Sequence, residues 1–300
     1  MEVKVINDLP YVTVKNVENF DINKIFDCGQ CFRFDKVENS IHECEFSGIA
    51  FGKFVSFAQD GDTLYIYNAT EEEYEKIWHH YLALDIDYQH IESDILSRSD
   101  NSKLLDAINY GRGIRILSQE PWEAVCSFII SQNNNIPRIK KIIEAISKKC
   151  GNPVKLPSGS EAHNSGKSSL CSFPTPEAIL ELGIDGLCEL KTGFRAKYIY
   201  DAAQRTVSGE LDYGYISTLS TDQAIKELCS VKGIGPKVAS CALLFGFEKY
   251  DAFPIDVWIK KVILKYFSSD PASFKPYILG NYAGIAQQYL FYYERYNNHK

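Results

Sequence analysis

Residues 228–256 read LCSVKGIGPKVASCALLFGFEKYDAFPID, and the reading of this stretch decides the fold. Gly233 and Gly235 flank Ile234, and a backbone without Cβ atoms can approach another backbone closely, a phosphate chain for example. Pro236 then opens a helix at a position where its missing N–H costs nothing. Lys237 falls in the first turn of that helix, where the positive end of the dipole disfavours an ammonium and favours a free, nucleophilic amine. Asp256, just past Pro254, precedes the apolar run VWIKKVILKYF (257–267), so it also suits an ordinary helix N-cap. The Gly-x-Gly turn and Asp256 each have a plain structural explanation alone, whereas Lys237 is poorly placed for stability. Together they place an amine, a carboxylate and a phosphate-sized turn within thirty positions.

Working outward, 300 residues suggest two or three packed subdomains. The first hundred read as mainly β: KFVSFAQ (53–59) and TLYIYNA (63–69) flank the hairpin signal Asp60-Gly61. Thr70 with Glu73 forms a capping box that starts a helix through EEYEKIWHHYLAL. From about residue 101 the period becomes helical, with Trp122, Val125, Cys126 and Ile129 after Pro121, then Ile139, Ile142, Ile143 and Ile146 after Pro137. Residues 151–172 break this pattern with a polar, Gly/Ser-rich linker expected to be mobile. Ser220 caps the helix entering the Gly-Ile-Gly turn, and a last helix runs through GIAQQYLFYYERY (284–296). The expected fold is α+β: a β-rich amino-terminal domain (1–105), an antiparallel twisted sheet, followed by an all-α body (106–300).

No apolar stretch reaches the roughly 20 residues of a membrane span, and the opening MEVKVINDLP lacks the form of a signal peptide. Nine cysteines without a framework point to a reducing cytoplasm. A net charge of −7 runs against a generic nucleic-acid binder. Basic residues are nevertheless concentrated in RIKKIIEAISKK (138–149) and KTGFRAKY (191–198), while acids gather in EEEYE (71–75). Cys28 and Cys31 form a CxxC, but the strand-like FRFDKV that follows does not supply the helix a thioredoxin-type pair needs. His42 and Cys44 do not complete a zinc site with it.

The Gly233, Gly235, Lys237 and Asp256 pattern resembles the helix-hairpin-helix (HhH-GPD) DNA glycosylases, and more narrowly the branch that removes 8-oxoguanine. The leading β-rich domain accords with that branch, and the absence of cysteines after Cys241 separates the chain from the iron–sulfur endonuclease branch. The resemblance implies that hairpin amides grip phosphate, that Lys237 attacks the sugar, and that Asp256 assists. Because hydrolytic glycosylases usually lack the lysine, it implies a bifunctional glycosylase and lyase.

Further landmarks follow from the same resemblance. SQNNNIPRI (131–139) matches the segment whose first Asn, here Asn133, fills the gap left by a flipped nucleotide. Arg138 would read the orphaned cytosine together with Arg195, and Phe194 would wedge beside the estranged base, where eukaryotic members carry Tyr. Cys241, one turn after Lys237, would stack on one face of the flipped base and Phe291 on the other. Val238, Cys241, Ala242 and Phe245 also trace an ordinary apolar face. Pro254 belongs to the same pocket, Gln287 would address the base's Watson–Crick edge, and the Gly29 carbonyl would accept the N7 hydrogen that guanine lacks. Trp258 stands where eukaryotic members have His. The expected activity is excision of 8-oxoguanine opposite cytosine from duplex DNA in base excision repair, by base flipping, Schiff-base formation and β-elimination. No metal or organic cofactor is expected, and the protein is expected to be a monomer in a bacterial cytoplasm, at the nucleoid. Rival readings are a glycosylase for other oxidised or alkylated purines, and a helix-hairpin-helix module that only binds DNA.

Overall fold

Strand-forming runs separated by tight turns build one sheet within residues 2–67. In the computed structural model, which describes residues 2–6, 9–155, 170–267 and 270–297, the strands are β1 (Glu2–Ile6), β2 (Leu9–Val14), β3 (Phe34–Lys36), β4 (Cys44–Ala50), β5 (Lys53–Asp60) and β6 (Thr63–Tyr67). All pairings are antiparallel, in the order β1-β2-β6-β5-β4-β3. Phe51 and Gly52 turn β4 into β5 with φ of 51° and 66°, the left-handed geometry that a two-residue hairpin requires. The hairpin expected at Asp60-Gly61 forms, with Asp60 ending β5 opposite Thr63 and Gly61 and Asp62 making the turn.

One face of the sheet is covered by the helix Ile22–Asp27 and by the segment 71–81. Phe57 sits at the centre, stacked 5.7 Å from Phe26 and 6.0 Å from Tyr81, with Trp78 edge-on at 5.7 Å. The capping box of Thr70 and Glu73 forms as expected. The helix it starts then widens to a π-turn over Tyr74–Trp78 before closing at Tyr81, which the sequence pattern does not show.

A second hydrophobic core, which takes in Cys28, Phe32 and Ala83, runs from Tyr88 through the helices of the body to Tyr292. The helix Ser102–Gly111 packs within it, against the last helix, Ala283–Asn297. The division expected at 105/106 therefore falls inside a helix, and the two cores meet earlier along the chain. Arg115 bolts that seam. It is 6% exposed, its guanidinium donates to the carbonyls of Glu18, Asn19, Ala83 and Ile86, and it lies 4.3 Å over the Tyr88 ring. Four carbonyls from two loops thus converge on one buried cation, satisfying donors that would otherwise be costly to bury.

Of the linker expected over 151–172, residues 156–169 lie outside the described residues. Its two ends are pinned to each other: Val154 N donates to Leu170 O at 2.8 Å and Ser172 N to Asn152 O at 2.8 Å. Arg33 also donates to the Cys171 carbonyl, and Trp122 Nε1 donates to Pro174 O at 2.8 Å.

Candidate active site

The hairpin is assembled by local rules. Ser220 and Gln223 cap the helix Thr221–Leu228 reciprocally, and Ile234 N closes the following turn on Val231 O at 3.1 Å. Gly233 has φ of 83°, and a Cβ there would lie 2.3 Å from the Tyr198 ring, so no larger residue fits without moving that side chain. Gly235 differs: it caps the helix Pro236–Gly246, and a Cβ there would meet nothing within 4 Å. Its face is open to an approaching backbone. Pro236 and Lys237 occupy the first two helical positions, as expected.

Asp256 is indeed a helix cap. Its Oδ1 accepts from Trp258 N at 3.0 Å and Ile259 N at 2.8 Å at the start of Val257–Tyr266. Because a single oxygen takes both amides, Oδ2 remains for other work, and the cap fixes its direction. The structural and catalytic readings are compatible in one carboxylate.

Lys237, Cys241, Pro254 and Asp256 line one cleft of about 400 Å³, with Gly29, Gln287 and Phe291 on its other walls. Residues from three distant parts of the chain are thus brought together. Burial pushes the Cys241 thiol's pKa up, more than the charge of nearby Lys237 draws it down. The sulfur is therefore a neutral wall of the pocket.

The Gly29 wall is a turn held from every side. Gly29 has φ of 80°, which a residue with a side chain rarely adopts. The buried Gln30 amide donates to Ile25 O at 2.9 Å and Arg115 O at 2.8 Å and accepts from Leu117 N at 2.8 Å. Gln288 Nε2 donates to Cys28 O at 2.8 Å. Cys28 and Cys31 are both buried free thiols; burial raises both, Cys28 to about 12, far from a reactive dithiol.

The last helix presents Gln287 and Phe291, one turn apart, to the cleft. Gln287 is 5% exposed, and its Oε1 is buried without a hydrogen-bond partner. A buried, unpaired acceptor costs roughly 1–3 kcal/mol, a cost that a hydrogen-bonding ligand would remove.

A second group lies on the neighbouring surface. Asn133, at φ of 46°, is exposed in the turn between the helices Pro121–Ser131 and Ile136–Cys150. Asn135 accepts from Arg138 N at 3.0 Å as the cap of the second, and the Arg138 side chain is exposed. Phe194 projects its ring at 51% exposure, and the Arg195 guanidinium lies 4.4 Å over it. Arg195 itself is 3% exposed, donating to the carbonyls of Gln132, Asn133 and Thr192. It thereby props the asparagine turn, while burial and then the neighbouring Arg138 cation lower its pKa.

Sequence reasoning singled out the three asparagines 133–135, of which Asn134 and Asn135 line the cleft wall, but did not find Gln30 or Gln288, whose partners are far away in the chain, nor Arg295 on that wall. A helical spacing of four from Gln287 through Phe291 would have flagged Arg295.

Residues 12–125 match the family model of the 8-oxoguanine DNA glycosylase N-terminal domain, and residues 126–277 match that of the HhH-GPD superfamily base excision DNA repair proteins. The chain is similar to the Clostridium acetobutylicum 8-oxoguanine glycosylase/lyase solved with double-stranded DNA containing cytosine opposite 8-oxoG. Identity is 40%, the TM-score is 0.86, and coverage is 99% of both chains. It is 36% identical to MBOgg1, solved with a low-affinity DNA ligand, with a TM-score of 0.87 over 99% of this chain and 100% of that one. A Saccharomyces cerevisiae N-glycosylase/DNA lyase is 33% identical over 61% of this chain and 48% of its own length. The match thus spans about half the length of that curated relative.

Proposed function

The chain belongs to the HhH-GPD superfamily of base excision DNA repair proteins, in the 8-oxoguanine glycosylase/lyase family, and on that premise we propose how its own residues carry out the reaction. The substrate is duplex DNA with 8-oxoguanine opposite cytosine. The damaged nucleotide leaves the stack, since chemistry at its sugar carbon cannot proceed inside the duplex. Its base enters the cleft between Cys241 and Phe291, where Gln287 and the Gly29 carbonyl meet its edges. Asn133 fills the vacated space, Phe194 wedges the neighbouring step, and Arg138 and Arg195 face the orphaned cytosine. Gly233 and Gly235 admit the phosphate chain.

The Lys237 Nζ lone pair then forms a bond to C1′ as the C1′–N9 bond breaks, and the electron pair of that bond leaves on the base. The amine loses its protons, the sugar ring opens, and a Schiff base results. Loss of a proton from C2′ expels the 3′ phosphate by β-elimination. Asp256, its Oδ1 fixed by the helix cap, holds Oδ2 against the cationic sugar. The observation that carries this reading is the convergence of Lys237, Asp256 and the unpaired Gln287 carbonyl on one cleft.

No helix among the described residues is long and apolar enough to cross a membrane. We place the enzyme in a reducing bacterial cytoplasm, acting as a monomer on chromosomal DNA, which suits its nine free thiols.

Borohydride trapping tests the whole reading. A covalent adduct is expected on duplexes holding 8-oxoguanine or an abasic site. A protein that only binds DNA leaves none, and an alkylation-specific enzyme leaves the 8-oxoguanine duplex intact. Either result would overturn the proposal.

A further inference from the structure

Gln287, Phe291 and Arg295 fall at successive turns of the last helix, and all three line the base cleft. Arg295 is the unexplained member. Its Nη1 lies 3.9 Å from the point where a Cβ on Gly29 would stand, so the guanidinium rests against the turn that faces the base edge. It is 5.0 Å over the Tyr296 ring and 6.0 Å from that of Phe291. Tyr296 is itself anchored, its hydroxyl donating to Asp27 Oδ2 at 2.7 Å, beside the same turn. Among the described residues Arg295 has neither a hydrogen bond nor a carboxylate within 4 Å. Arg195 and Arg33, by contrast, are committed to carbonyls and to Glu123, and neither lines the cleft.

We infer that Arg295 is a specificity-determining residue of the base pocket, whose fixed positive charge favours bases that leave carrying an electron pair and rejects purines that enter as cations. The inference rests on the proposed excision of 8-oxoguanine and deepens it. When C1′–N9 breaks, both bonding electrons go to the base, so neutral 8-oxoguanine becomes anionic until it takes up a proton. A guanidinium at the pocket wall stabilises that charge as it develops, an effect that needs no reorganisation at the moment of reaction. A 7-methylated guanine is already a cation and departs neutral, so the same guanidinium opposes its entry and its approach to the transition state. Arginine suits this role because it stays charged in every relevant condition and its flat face packs on aromatic rings. Two charges about 6 Å apart at an effective dielectric near 20 interact strongly enough to change rates by about tenfold to a hundredfold.

The test uses the full-length protein and four duplexes, holding 8-oxoguanine, 7-methylguanine, an abasic site or no lesion. Single-turnover efficiencies are measured below saturating enzyme for the wild type, Arg295→Gln and Arg295→Lys. Arg295→Gln should lower 8-oxoguanine excision about tenfold and raise 7-methylguanine excision by a similar factor, with cleavage at the abasic site much less affected. Arg295→Lys, which keeps a charge, should restore most of the discrimination. Equal losses on the 8-oxoguanine and abasic duplexes would show a phosphate contact instead and overturn the inference. So would unchanged ratios, or losses traceable to a lowered melting temperature in both variants. Wild-type protein inactive on 8-oxoguanine would defeat the underlying reading before the variants were compared.

Discussion

Gln288 Nε2 donates to the Cys28 carbonyl at 2.8 Å, across 260 positions of sequence. This bond sets the last helix at a fixed height against the turn at Gly29, and each partner is the immediate neighbour of a proposed base-reading residue, Gln287 on one side and Gly29 on the other. Gln288 is 3% exposed, so its loss leaves a buried carbonyl unpaired, at roughly 1–3 kcal/mol. Gln288→Leu should therefore lower stability by that amount and reduce 8-oxoguanine excision more than abasic-site cleavage. Equal effects on the two substrates in single-turnover assays would confine Gln288 to a general structural role.

The nucleophile is the sharpest case. Lys237→Gln should fold and bind duplex DNA as the wild type does, because a neutral side chain is at least as comfortable in the first turn of a helix. Borohydride trapping and strand cleavage should both disappear. Substantial cleavage by the purified variant would move the nucleophile elsewhere.

Phe291 separates pocket from core. Base–aromatic stacking is worth about 1–3 kcal/mol, so Phe291→Ala should reduce 8-oxoguanine excision about tenfold to a hundredfold while sparing abasic-site cleavage, which on the proposed mechanism needs Lys237 and Asp256 but no base contact. A Phe that serves only packing would instead cost about 3–5 kcal/mol of stability. Paired rate and melting measurements distinguish the two outcomes.

The proposed readout of the orphaned base divides between two arginines in different settings. Arg138 is exposed, and Arg138→Ala should reduce the preference for cytosine opposite the lesion with little change in stability. Arg195 spends four donor contacts on the carbonyls of Gln132, Asn133 and Thr192. Arg195→Ala should reduce the same preference and also loosen the asparagine turn, lowering activity against all four opposite bases. Single-turnover rates on the four duplexes decide both cases, and a uniform drop for Arg138→Ala would leave that residue only a phosphate contact.

What could be read from the chain follows the range of the forces involved. Thr70 with Glu73, Ser220 as a helix cap, and Asp256 ahead of an apolar helix are signals contained within a few residues, and each forms as read. The meeting of Lys237 with Gly29 and Phe291 was legible only through the family resemblance, since no local rule brings residues so far apart to one cleft. The supports were not legible. Gln30 and Gln288 matter because of carbonyls that only the packed fold brings near, and Arg195 reads in sequence as a contact to the orphaned base, with nothing to mark its burial against three carbonyls. The π-turn at Tyr74–Trp78 also depends on packing, because the local pattern is that of an ordinary amphipathic helix.

Glu123 supplies a test of the seam itself. It is nearly buried at the start of the helix Pro121–Ser131, 3.7 Å from Arg33. Burial raises its pKa from 4.5 to about 7, the attraction of Arg33 offsetting only part of that cost. Since the folded state holds this proton more tightly than the unfolded chain, the resulting stabilisation is fully present below pH 4.5 and is lost as the pH rises to about 7. The gap corresponds to about 3 kcal/mol. Glu123→Gln imitates the protonated form at every pH and keeps a polar partner for Arg33. Its melting temperature should nearly equal the wild type's in mild acid and exceed it by several degrees at pH 8. A difference that stays flat with pH would mean that Glu123 is ionised in the folded protein throughout, with Arg33 outweighing burial. A variant less stable at pH 8 would mean that the charged pair holds the seam together.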